Sequence, residues 1–221
     1  MSMNSQLLDF SILRFSGEKT QTFLQGQLTC DMRLLSKHGQ YSLAACCDHR
    51  GRMIANFWVL KWHDDFLFIL PENMNDIVKN HLQKYAVFSK VMITPYECKE
   101  AIAHVLNGHH NNYHQKNIEN GLCLLQPKTS LLFTPQMINL DKFGGVSFDK
   151  GCYVGQEIVA RTEHLGTLKR HLHHLHLESD SPLNPGDPLI KNNNEIGIIA
   201  DAIEIKKNHY EVLAVIEDRY T

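Results

Sequence analysis

Residues 41–60 read YSLAACCDHRGRMIANFWVL. The first seven, 41–47, are mostly small and apolar, as a buried strand requires. Residues 48–51 (DHRG) make a turn, because aspartate opens turns with its side-chain acceptor and glycine tolerates positive φ. Residues 52–60 then run as the partner strand, so the segment is a β-hairpin. Strand signals continue on both sides of it. LLDFSILRFS at residues 7–16 enters as a strand, and Gly17 opens a short helical stretch at 18–25 anchored by Phe23 and Leu24. Residues 61–65 form another turn and 66–70 another strand. Pro71 sits where a helix can begin without losing a hydrogen bond. Met74, Ile77, Val78 and Leu82 then recur at helical spacing, and strand character resumes at 90–94. This order predicts an α+β fold, a mostly antiparallel sheet with helices.

Residues 107–117 (NGHHNNYHQKN) are polar and without period, which predicts a loop or junction, and Asn120-Gly121 signals a turn. Gly144-Gly145 leads into residues 150–157, KGCYVGQE. A helix is expected from about Val154 to Thr162, ended by Gly166. Beyond Lys169 the texture changes. Residues 170–177 alternate, Pro182, Pro185, Gly186 and Pro188 punctuate turns, and 195–203 and 210–216 read as strands. The tail is therefore expected to be a small C-terminal β-barrel. Two domains follow, 1–166 and 167–221.

The 221 residues are 43% hydrophobic and 21% charged, enough to bury a core. A net charge of −2 counts against a broad non-specific grip on nucleic acid. None of the six cysteines forms a C-x-x-C pair, so a zinc ribbon or thioredoxin-type motif is not expected. The opening MSMNSQLLDF lacks the basic and apolar regions of a signal peptide, and no apolar run reaches membrane-span length. A cytoplasmic protein with reduced thiols and no membrane partner is expected.

Cys152 is the candidate reactive thiol. It follows a glycine and precedes the expected helix, whose N-terminus would stabilise a thiolate, with Lys150 and Arg161 as nearby cations. The alternative is a small buried cysteine that packs the helix. Gln156 and Glu157 follow within a turn; Glu157 would cap the helix or pair with Arg161. Lys169 and Arg170 extend a basic patch suited to a polyanionic tail or an RNA phosphate, or are exposed linker charges. The 14 histidines cluster at His109-His110, His114 and His171–His176. His171 and His173 would share one strand face, but no carboxylate or cysteine falls at ligand spacing, so no metal site is expected.

Several stretches resemble one family. GEKTQTFLQGQLTCD at 17–31, YAVFSK at 85–90, PQMINLDKFGGVSF at 135–148 and KGCYVGQE at 150–157, extended by Ala160-Arg161, are similar to the YgfZ-type proteins. That family is related in fold to the aminomethyltransferase of the glycine cleavage system. The resemblance implies a folate-binding accessory protein that supports iron–sulfur cluster assembly or repair in client enzymes, including tRNA-thiolating ones. It implies tetrahydrofolate or another folate as cofactor. Its partners would be iron–sulfur enzymes or assembly proteins, and tRNA indirectly. Phe10 and Tyr113 match positions where aromatic rings contact folate. Two departures stand out. The acidic pair of the aminomethyltransferases is matched by Ala55 and Asn56, which removes the carboxylate needed for acid–base help at a folate nitrogen. A middle section of the family's folate-binding fold is shortened between Glu97 and Tyr113. A tetrahydrofolate-dependent one-carbon (aminomethyl) transferase and an RNA-binding module remain as alternatives.

Overall fold

A computed structural model describes residues 10–107, 112–166 and 168–220. The first half builds a five-stranded sheet from β1 (Phe10–Ser16), β2 (Tyr41–Cys47), β3 (Met53–Trp62), β4 (Asp65–Pro71) and β5 (Met92–Tyr96), in the order β2-β3-β4-β1-β5. Every pairing in it is antiparallel. The α+β class expected from the strand and helix signals is the class observed. The hairpin turn falls at residues 48–52, where the Asp48 side chain accepts from the backbone N–H groups of Arg50 and Arg52.

Both faces of this sheet are covered, so 43–47 is a continuous apolar run rather than an alternating one. Ala44, Cys46, Phe57 and Phe68 face α1 (Thr20–Gln25) and α2 (Asn75–Ser89), whose Leu24, Val78, Leu82 and Ala86 complete one core. Leu43, Ala45 and Cys47 face the other way, onto residues 118–146. At the far end Ile12, Leu60 and Ile69 meet α3 (Lys99–Val105).

The tail is all-β. Strands β6 (Arg170–Glu178), β7 (Pro188–Lys191), β8 (Asn194–Lys206) and β9 (His209–Glu217) pair antiparallel in the order β6-β9-β8-β7. Where a small barrel is expected, the described residues form this four-stranded sheet. One face carries Leu172, Ala200, Leu213 and Val215 into the same core as Leu43 and Ala45. The other buries Val212, Ala214 and Ile216 beneath Leu175 and Leu177.

Two further expectations change. The polar stretch 107–117 ends in a helix, α4 (Tyr113–Glu119), whose inward face carries His114, Asn117 and Ile118. Two of these three are polar, so no apolar period betrays the helix. Residues 108–111, with His109-His110, and the strand signal at 7–9 lie outside the described residues. The motif helix, α5 (Gln156–Leu165), starts two residues later than Val154. Gly155 holds φ at +84° just before it, a conformation that side chains resist and that delays the helix. Among the described residues no helix is long and apolar enough to cross a membrane.

Candidate functional site

The segment 149–155 is anchored by Lys150. Its side chain points inward, and its ammonium donates to the carbonyl oxygens of Gln25 at 2.7 Å, Leu28 at 2.6 Å and Cys30 at 2.8 Å. Three N–H donors meet three acceptors, so the cation is fully satisfied at 6% exposure. Burial lowers its pKa to about 8, which still leaves it charged at neutral pH. The acceptors belong to FLQGQLTCD, so two of the family-like strings in the sequence are halves of one contact. Gln156 closes the loop from the other side. Its Oε1 accepts from the Tyr153 N–H at 3.2 Å, and its amide donates to the Lys150 carbonyl at 3.5 Å. The Lys150 ammonium also lies 5.0 Å from the centre of the Tyr153 ring.

Cys152 is exposed within this loop, whereas Cys30, Cys46, Cys47 and Cys123 are buried. It stands four residues ahead of Gln156 rather than on the first helical turn. The Lys150 charge is engaged by backbone carbonyls and is not presented at the loop surface. Glu157 and Arg161 are both exposed on α5. The loop thus displays a thiol on a rigid support.

Beside the loop lies a cleft of about 560 Å³ lined by Asp31, Tyr41, Ser42, Ser147, Phe148 and Asp149, among others. Asp31 is gripped by Arg33 through both guanidinium donors, at 2.9 and 2.6 Å, and by the Gln25 amide at 3.0 Å. The Arg33 hydrogen bonds hold this carboxyl well below the usual carboxylate range, so it is an anion at any working pH. Arg33 also reaches the Asp149 carbonyl at 3.5 Å.

Phe10 and Tyr113 meet edge-to-face with centroids 5.4 Å apart. The Trp58 indole N–H donates to the Tyr113 hydroxyl at 2.8 Å, and Tyr41 packs on Trp58 at 5.7 Å. Burial raises the Tyr113 pKa. Tyr41 belongs both to this aromatic row and to the cleft wall, so the two are continuous. Sequence reasoning selected Phe10 and Tyr113 and missed Trp58, Tyr41 and Asp31. An indole in the middle of the second hairpin strand was the available signal for Trp58. Ala55 and Asn56 are buried in β3. The Asn56 amide donates to the Cys123 carbonyl at 2.7 Å and accepts from the Leu125 N–H at 2.8 Å, tying β3 to the neighbouring segment.

No family model matches the chain. It is 30% identical, over an alignment 227 positions long, to the tRNA-modifying protein YgfZ of Enterobacter sp. (strain 638), covering 76% of this chain and 69% of that protein. It is 31% identical over 224 residues to the protein of the same name from Klebsiella pneumoniae (strain 342), covering 74% and 68%. With that of Blochmanniella pennsylvanica (strain BPEN) the identity is 26% over 282 residues, covering 95% and 85%. Among solved structures, the glycine cleavage system aminomethyltransferase T of Bartonella henselae superposes with a TM-score of 0.72 at 15% identity, over 97% of this chain and 78% of that one, and shows a shared fold. The segments 17–31 and 150–157, joined through Lys150, together with these identities, show that the chain belongs to the YgfZ family.

Proposed function

We propose that the protein is a folate-binding accessory factor, cytoplasmic, that supports iron–sulfur enzymes, tRNA-thiolating enzymes among them. The observation that carries this reading is the exposed Cys152 thiol on a loop pinned by Lys150 and Gln156, next to a cleft with aromatic walls. An exposed thiol on a fixed loop suits transient ligation of a metal or cluster, or a mixed disulfide with a partner protein. Membership in a family whose relatives are named tRNA-modifying proteins supports a role around tRNA.

The cleft's residues fit a folate. The volume suits a small-molecule cofactor. Tyr41 and Phe148 offer ring faces to a flat heterocycle, with Trp58, Tyr113 and Phe10 behind Tyr41. Asp31, already engaged by Arg33 and Gln25, would add fixed negative charge to the cleft wall. Bound folate would supply a one-carbon carrier or a redox-active ring. What these residues do is bind and orient it. Asn56, engaged on both sides by backbone groups, offers no proton-transfer group, which argues against aminomethyl transfer.

Because Trp58 is hydrogen-bonded to Tyr113, its fluorescence reports on this row. Titration with tetrahydrofolate is expected to quench saturably, and Tyr113→Ala to weaken the response. In cells lacking the protein, the wild-type gene is expected to restore thiolated tRNA nucleosides under oxidative stress, and Cys152→Ala to fail. A wild-type chain that neither responds to folate nor restores thiolation overturns the proposal.

A further inference from the structure

The histidines of the tail acquire a carboxylate partner through strand pairing. Alternation along β6 places His174 and His176 on the face that carries Leu172. In the β6–β9 register His176 stands directly opposite Glu211, and His174 opposite Leu213. The Nε2 of His174 lies 3.5 Å from the Glu211 carboxylate, and the two imidazole centroids are 5.0 Å apart. One ligand atom from each of the three residues lies within 4.8 Å of the other two.

Glu211 is 8% exposed, and its Oε2 makes no hydrogen bond. A buried carboxylate oxygen without a donor is costly, and a cation is the partner that best offsets that cost. Two exposed imidazoles stand beside this carboxylate, with His174 the nearer to its Oε2. We propose that His174, His176 and Glu211 bind a divalent first-row transition-metal ion.

Two neutral imidazoles and one carboxylate suit zinc, copper, nickel or ferrous iron, whereas magnesium and calcium prefer all-oxygen shells. Bonds of about 2.1 Å at a tetrahedral angle separate two ligand atoms by about 3.4 Å, close to the His174–Glu211 spacing. His176 is exposed, so its ring turns to complete the set without disturbing the sheet. Three protein ligands leave coordination positions for water or an exchangeable donor, as in sites that are not purely structural. The ion would clamp β6 to β9. His171 is not part of this set; its Nδ1 pairs with Asp218 at 2.6 Å.

The test uses the untagged, metal-stripped full chain. Addition of Co²⁺ is expected to give saturable d–d absorption that Zn²⁺ displaces, and Zn²⁺ is expected to raise Tm because it binds only the folded state. Glu211→Gln and the His174→Ala/His176→Ala pair lose both effects, while His173→Ala keeps both. Circular dichroism of each metal-free variant checks the fold. If the double variant misfolds, His176→Ala alone, at an exposed position, carries the comparison. Absence of saturable Co²⁺ absorption in the wild-type chain, or absorption unchanged in His176→Ala, overturns the proposal.

Discussion

Lys150 gathers three carbonyl oxygens from one loop with a single ammonium. Replacing it with methionine keeps the length and leaves those acceptors without a donor. Lys150→Met is expected to cost about 3 kcal/mol, because each orphaned buried acceptor costs roughly 1 kcal/mol or more; the urea midpoint measures it, and an unchanged midpoint contradicts it. The thiols give a pH signature. Burial pushes Cys30 and Cys46 up to about 12 from an ordinary 9.0. The unfolded chain ionises these thiols first, so stability is whole below about 9 and falls as pH rises towards 12. Lys150 acts in the opposite sense: lowered to about 8, it gives up its proton in the folded chain while the unfolded chain still holds one, and adds stability between 8 and its ordinary 10.5. The buried cysteines outnumber it, so the denaturation midpoint should drop from pH 9 to 11. Cys46→Ala should flatten that drop, and parallel curves would refute the assignment. At this scale the sequence singled out Cys152 as a candidate, which the structure leaves exposed, and hid where Lys150 points. The acceptors that turn it inward are backbone carbonyls, which leave no mark in side-chain identity.

Among the elements, α5 is set by one backbone conformation. Gly155 has φ +84°, and a Cβ there would strike the Asp48 carbonyl and come within 3.1 Å of Cys47 Cβ. Gly155→Ala should therefore combine left-handed strain with a backbone clash, at about 3 kcal/mol. Gly151→Ala, where a Cβ would meet nothing within 4 Å, should change the midpoint by no more than about 0.5 kcal/mol. Equal losses in the two variants would show that the turn and helix are not locked together. The hairpin was legible because two apolar runs flank an aspartate-to-glycine turn, and α2 because its apolar residues repeat at a period of 3.6. The helix α4 was not, because its buried face uses His114, which reaches Asp201 at 2.8 Å, and Asn117 in place of apolar side chains. The carboxylate beside His174 and His176 was equally hidden, since it arrives from a strand more than thirty residues onward.

Across the whole molecule, one core is shared by the two halves. Leu172, Ala200, Leu213 and Val215 from the tail pack with Leu43, Ala45, Cys47 and Cys123. The division proposed at residue 166 therefore predicts mutual dependence. A fragment of residues 1–166 is expected to bind hydrophobic dyes and aggregate, and the full chain to unfold in one cooperative step. A monomeric fragment with native near-ultraviolet circular dichroism would show the opposite. Texture alone marked the change near residue 170, but a shared core comes from long-range packing that no local pattern records. Asn56 stands at the seam of this core, donating to one backbone group and accepting from another. An aspartate there would turn an acceptor against the Cys123 carbonyl. Placing an acid at this position would thus break the bridge before it could gain a base, and acid–base chemistry along that route would have to begin by rebuilding the scaffold.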